Sequence, residues 1–245
     1  MPLVAAAVCP HPPIIVPALA GAAAGELDGL REACDAAVAR LVDSGARRLV
    51  VVGADTETQP YHLPIRSSFA PWGVPVEVVL GDPAEAAVVR PRLPLSLMVG
   101  AWLASRRPGG QSLPWRLWGV AQRAEVAECV RLASMIGEDD GPWALLAMGD
   151  GSACRGERSP GYDDPRAQPY DDAVAAALAA ADGAALLALE PRLSARLRVA
   201  GRAPWQVLAA AARGGAWRGE LSYYAAPYGV SYFVATWTPA PGAPR

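Results

Sequence analysis

The residues of this chain best equipped for chemistry are a histidine held between prolines and an aspartate held between glycines. His11 sits in Cys9-Pro10-His11-Pro12-Pro13 and is one of only two histidines in 245 residues. Each proline fixes its own φ and restricts the residue before it, so the His11 backbone has few options. Such a histidine suits a preorganised metal ligand or a proton carrier. The plainer alternative is a strand-ending turn whose histidine is incidental. Asp150 sits in Gly149-Asp150-Gly151-Ser152, directly after an apolar run. A carboxylate there must be paired, hydrated or metal-bound, or else it caps its own turn. Asp55 follows the run RLVVVG at a similar place. The four cysteines, Cys9, Cys34, Cys129 and Cys154, are dispersed and form no CxxC pair. Cys9 and Cys154 stand near His11 and Asp150. Cysteine, histidine and carboxylate together can hold zinc or iron, while a buried cysteine is equally a small hydrophobe.

Apolar runs of strand length precede each candidate. Leu3–Val8, Arg48–Gly53 and Trp143–Met148 read as strands buried on both faces, with Val76–Leu80 and Trp115–Val120 as further strands. Helical spacing of apolar residues marks Glu26–Leu41, Leu95–Ser105, Ala124–Ile136, Ala173–Ala181, Pro191–Ala200 and Pro204–Ala212. Gly201 stands where a helix would stop. Leu221–Tyr224 and Ser231–Trp237 flank Pro227-Tyr228-Gly229 and read as a closing hairpin. The alternation predicts a single three-layer α/β domain over residues 1–238, its sheet mostly parallel or mixed and flanked by helices, with a disordered tail at 239–245. Ligands in such folds bind beyond the carboxyl ends of the strands. There His11, Asp150 and Ser152 form the candidate catalytic set, and Pro12, Gly53, Asp55, Gly151, Cys154 and Tyr228 line the candidate pocket. Ser152 has no neighbouring histidine to activate it and no GxSxG elbow. His62 reads as a surface loop residue beside Tyr61. Tyr223, Tyr224, Tyr228 and Tyr232 cluster near the closing turn, where they either stack on an aromatic ligand or pack at the edge.

Composition removes several function classes. There is no lysine, so neither a lysine Schiff base nor a P-loop lysine is available. A net charge of -2 gives no reason to expect nucleic acid or an anionic membrane surface. No signal-peptide pattern opens the chain, and no uninterrupted apolar run has transmembrane length. Dispersed cysteines suit a reducing cytoplasm. Trp72 and Trp102, in proline-rich stretches, suggest an apolar patch and a homodimer.

Four segments, in order, resemble the class III extradiol dioxygenase (LigB-like) superfamily: AAVCPHPPIIVP at the start, MGDGSACRGERSPGY, GRAPWQVLAAAA, and SYYAAPYGVSYFVATW near the end. The resemblance spans nearly the whole chain and implies that family's α/β fold. It also implies that His11 matches the first metal-binding histidine. Asp55 stands at the second histidine, Ala153 at the catalytic histidine that follows Ser in GDxSH, and Ala225 at the metal-binding glutamate.

An extradiol dioxygenase needs two histidines and a carboxylate around Fe(II), with open positions for catecholate and O₂. Three readings follow. The first is a diverged protein without a cofactor that binds or transforms a small molecule, an aromatic one included, beside His11. The second is a metalloenzyme with Fe(II) or zinc on a rebuilt set drawn from His11, Asp55, Asp150 and a cysteine. The third is a non-catalytic assembly subunit.

Overall fold

A computed structural model of the chain describes residues 3–82, 84–85, 87–88, 92–106, 113–138 and 141–242. In chain order the strands are β1 (Leu3–Cys9), β2 (Arg48–Asp55), β3 (Gln59–Tyr61), β4 (Ile65–Ser68), β5 (Glu77–Leu80), β6 (Ala87–Val88), β7 (Trp115–Ala121), β8 (Trp143–Met148), β9 (Trp217–Ala225) and β10 (Tyr232–Pro239). The helices are α1 (Pro17–Ala20), α2 (Asp28–Val42), α3 (Leu95–Ser105), α4 (Val126–Gly137), α5 (Ala167–Ala180), α6 (Gly183–Leu187), α7 (Pro191–Arg196) and α8 (Arg202–Ala211). Seven strands form one mixed sheet in the order β3-β7-β2-β8-β1-β10-β9. Its centre, β7-β2-β8-β1, is parallel; β3 and β10 run against it, and β9 pairs antiparallel with β10.

Composition explains this arrangement. Every residue of RLVVVGAD in β2 and of WALLAM in β8 is buried, as expected of strands covered on both faces. Alternation sends Val50, Val52, Leu145 and Ala147 to one face, where α4, α5 and α8 pack. Leu49, Val51, Leu146 and Met148 go to the other, under α2 and α3. Two apolar cores therefore lie on the two faces of the one sheet. Among the described residues no helix is long and apolar enough to cross a membrane.

The sheet register places the strand ends. Cys9 of β1 and Gly53 of β2 both lie opposite Met148 of β8. Three neighbouring strands thus end nearly level, and the chain leaving each emerges at one edge. The Gly149 N–H donates to the Cys9 carbonyl at 2.9 Å, holding the loops after β1 and β8 side by side.

Several expectations change. Val76–Leu80 does supply a strand, but β5 belongs to a second sheet, β5-β4-β6. A local partner captures it: β4 pairs with β5 through the turn at Ala70–Trp72, which closes on Gly73 at φ 101°. The helix expected over Pro191–Ala200 stops at Arg196, because Arg198 turns left-handed at φ 54°. Gly201 instead opens α8. Pro239 and Ala240 belong to the fold rather than to a tail. Pro239 pairs with Trp217, and the Ala240 N–H donates to the Ala216 carbonyl; residues 243–245 lie outside the described ones. Trp72 packs on Phe69 with ring centroids 5.8 Å apart, and Trp102 lies 4.5 Å beneath the Arg106 guanidinium. Both rest, partly buried, against the core.

The approach of α3 to the sheet depends on two glycines. A Cβ on Gly53 would overlap the Ser96 side chain, and one on Gly100 would lie 2.8 Å from Val51 Cγ1 and 2.9 Å from Met148 Cγ. A glycine-to-alanine change inside a helix ordinarily gains up to about 1 kcal/mol. Gly100→Ala should instead lose about 1–3 kcal/mol through overpacking. Gly29→Ala in α2, with nothing within 4 Å, should show the ordinary gain. Urea denaturation of the two variants checks the contrast.

Candidate functional site

His11 and Asp150 meet at the level strand ends. Pro12 is extended at φ -62°, ψ 139°, and Pro13 begins a tight turn in which the Ile15 N–H bonds the Pro12 carbonyl. The loop presents the His11 main-chain N–H to Asp150 Oδ1 at 2.7 Å. The same oxygen lies 3.7 Å from His11 Nδ1. On the other side, the Asp150 carbonyl accepts the Gly201 N–H at the start of α8. The residue is therefore fixed from both flanks, its carboxylate by β1's exit and its main chain by α8's entry.

The ring nitrogens of His11 have different surroundings. Nδ1 is sealed from solvent and has no hydrogen-bond partner among the described residues. The Asp150 carboxylate lies 3.7 Å away, which favours the tautomer with the ring proton on Nδ1. Nε2, on the far side of the ring, is not sealed from solvent although the residue is only 8% exposed. Burial is the largest influence on the Asp150 carboxyl and pushes its pKa up; the His11 charge and main-chain N–H act against this. Tyr232, on β10, lies within reach of the same carboxylate's charge. Its phenol is pushed up first by burial, then by the negative charge of Asp150, then by the hydroxyls of Tyr228 and Tyr223.

The remaining candidates go elsewhere. Asp55 Oδ2 accepts Tyr61 Oη at 2.7 Å and Gln59 Nε2 at 3.2 Å, and Oδ1 accepts the Thr56 N–H at 2.6 Å. Its carboxylate is turned toward β3 and β7 and lies against Gly119. Ser152 is wholly buried, donating from Oγ and N to the two oxygens of Asp171 at 2.5 and 2.9 Å. Ser231 Oγ donates to Asp171 at 2.6 Å, and Arg155 Nη1 lies 3.5 Å from the same carboxylate. This network ties the loop after β8 to α5 and to the start of β10. Gly151 is enclosed by Phe233, Ser231 and Asp171, and Gly53 by α3. Cys154 is buried in the core under α5 and α8, where burial pushes its thiol up. Cys9 is fully buried against Cys34. Tyr228 Oη donates to Glu26 at 2.7 Å. His62 is exposed.

Among the described residues no group of three or more His, Cys, Asp and Glu side chains is placed to hold a metal ion. Iron of the extradiol type does not fit the donors present. His11 and Asp150 supply two, Asp55 is spent on its own neighbours, and positions 153 and 225 are alanines.

Sequence reasoning grouped Tyr232 with three other tyrosines without singling it out, and it missed Asp171. The available signal for Tyr232 was its place at the start of a buried strand beside the strand-end loops. Asp171, in the first half of a helix next to Asp172, reads like any solvated acid.

No known family profile and no curated protein matches the chain. Among solved structures, the crystal structure of an uncharacterized protein, JW3007, from Escherichia coli K12 is similar, with a TM-score of 0.58. The match covers 96% of this chain and 99% of that one at 14% identity. At that identity the likeness is one of fold.

The Asp150 carboxyl yields a stability prediction. Its pKa is raised in the folded protein above 3.8, so the stability it contributes is complete below that pH and is lost as pH rises through the folded value. Its ionised form therefore burdens the fold. Asp150→Asn keeps an acceptor for the His11 N–H and should be at least as stable as the parent at pH 7. That advantage should vanish below about pH 3.8. Thermal unfolding across pH checks it; a variant less stable at pH 7 than at pH 3.5, each relative to the parent, would contradict the assignment.

Proposed function

We propose that this chain is a diverged protein of the class III extradiol dioxygenase (LigB-like) type that binds and transforms a small molecule by proton transfer at His11, without Fe(II) ring cleavage. The four-segment resemblance and the mixed seven-stranded sheet support the family reading. The observation that carries the functional reading is the His11–Asp150 pair, whose carboxylate faces the sealed Nδ1 while Nε2 is not sealed from solvent.

Asp150 holds the imidazole in the Nδ1–H tautomer and stabilises the imidazolium that forms when Nε2 accepts a proton. The 3.7 Å separation is long for a hydrogen bond, as apo acid–base pairs often are before a ligand closes the site. Prolines on both sides of His11 keep the ring in place with no cost at the moment of reaction. A positioned general base of this kind contributes roughly 10²–10⁴-fold to a rate. The four cysteines are all buried and unpaired, which fits a cytoplasmic setting.

Two measurements test the reading. With added Fe(II), catechol and protocatechuate should give no ring-opened product and no oxygen consumption above buffer. A yellow product lost in His11→Ala would restore the metalloenzyme. Diethyl pyrocarbonate should modify His11 at Nε2, and Asp150→Asn should slow that modification several-fold while leaving exposed His62 unchanged. If His11 is inert, or if both histidines slow equally, the pair is not a working proton carrier.

A further inference from the structure

We propose that the groove between the start of α5 and α7 binds the phosphate group of a small organic phosphate monoester, held by the guanidinium groups of Arg166, Arg192 and Arg196. The groove shares no residue with the crevice beside His11, so the two sites stand or fall separately.

Arg166, Glu190, Arg192, Leu193 and Arg196 line a groove of about 340 Å³. That volume is at the small end of the roughly 300–1,000 Å³ range of small-molecule sites. Buried contacts bring the arginines to it. Tyr170 of α5 and Ser194 of α7 are buried, and their hydroxyl oxygens lie 2.8 Å apart. Arg166 stands one turn before Tyr170, its carbonyl accepting the Tyr170 N–H at 3.1 Å. Arg192 and Arg196 flank Ser194 and are one turn apart, so they share a face of α7. Just past α7, the Leu197 carbonyl accepts the Ala153 N–H at 3.0 Å. The guanidinium groups are at the surface, but the backbone that carries them is pinned to the core on both sides of the groove.

Charge around this groove is only partly paired. Asp164 takes Arg166 Nε and Nη2 at 2.9 and 2.6 Å, and no described residue bonds Arg166 Nη1. Glu190 turns Oε2 to the Leu193 N–H at 3.0 Å and caps α7. Among the described residues the guanidinium groups of Arg192 and Arg196 have neither an ion pair nor a hydrogen bond. Like charges one turn apart on a helix repel, and an anion seated between them reverses that repulsion. Three guanidinium groups against the carboxylates of Asp164 and Glu190 leave one net positive charge, which disfavours a cation. A guanidinium fork matches phosphate oxygens two at a time. The two unpaired guanidinium groups match the nearly two charges of a phosphate monoester at neutral pH, where a carboxylate brings one. Leu193 is the one apolar side chain of the lining. It gives an organic group a surface to cover, which a free phosphate ion cannot use.

Isothermal titration calorimetry of the full chain, in phosphate-free buffer at pH 7.5 and about 0.15 M salt, tests this with phenyl phosphate, inorganic phosphate, phenyl sulfate and benzoate. Phenyl phosphate should bind about tenfold more tightly than phenyl sulfate, which has the same shape and less charge, or than benzoate. It should also bind more tightly than inorganic phosphate. Arg192→Gln and Arg196→Gln should each weaken phenyl phosphate about tenfold. Arg213→Gln, at an exposed arginine outside the groove, should leave it unchanged. Circular dichroism confirms that the variants fold. Equal binding of inorganic phosphate and phenyl phosphate, lost in both groove variants, would overturn the organic ligand in favour of the free ion. Binding that Arg213→Gln weakens as much as the groove variants do would reduce the effect to overall charge and overturn the site. Absence of binding by all four anions would overturn it as well.

Discussion

The parallel pairing of β8 between β1 and β2 is the constraint from which the site follows. Met148 lies opposite both Cys9 and Gly53, so the loops after three strands leave the sheet together. A one-residue slip in β8 would turn its side chains to the wrong faces and carry Asp150 out of reach of the His11 N–H. Nothing about such a slip is local. Leu145 and Ala147 would leave the core under α8, and Leu146 and Met148 the core under α3. The distance between a carboxylate and an imidazole at the edge is thus held by apolar packing through the whole sheet.

That dependence explains what was legible in the sequence. Strands buried on both faces are continuous apolar runs, and β1, β2, β7 and β8 could be read almost to their ends. Strand-end logic then placed His11 beside Asp150. It did not place Asp55, whose partners Tyr61 and Gln59 come from β3, three residues long and containing a proline. No periodicity reveals so short a strand. Yet β3 decides the fate of the Asp55 carboxylate, because it brings a phenol and an amide against it. Ser152 was misjudged for a related reason. Its partner Asp171 is 19 residues away in α5 and carries no mark distinguishing it from Asp172. Asp172 remains near the surface and accepts Tyr224 Oη at 2.5 Å.

Asp171 and Asp150 are two enclosed carboxylates within one fold, and their difference separates structure from function. Asp171 is wholly buried and saturated, taking the Ser152 N–H and Oγ, the Ser231 Oγ and the charge of Arg155. Such a group gains specificity of arrangement from its bonds and has nothing left to offer a ligand. Asp150 takes one main-chain N–H and faces an imidazole at 3.7 Å. A buried acceptor left short of partners costs free energy of order 1–3 kcal/mol. A sequence free to improve its own stability could remove it with a single change to asparagine. A fold that satisfies Asp171 so fully had the means to satisfy Asp150 as well. The incomplete shell around Asp150, beside a His11 Nε2 that is not sealed from solvent, is therefore the feature on which the proposed small-molecule site rests.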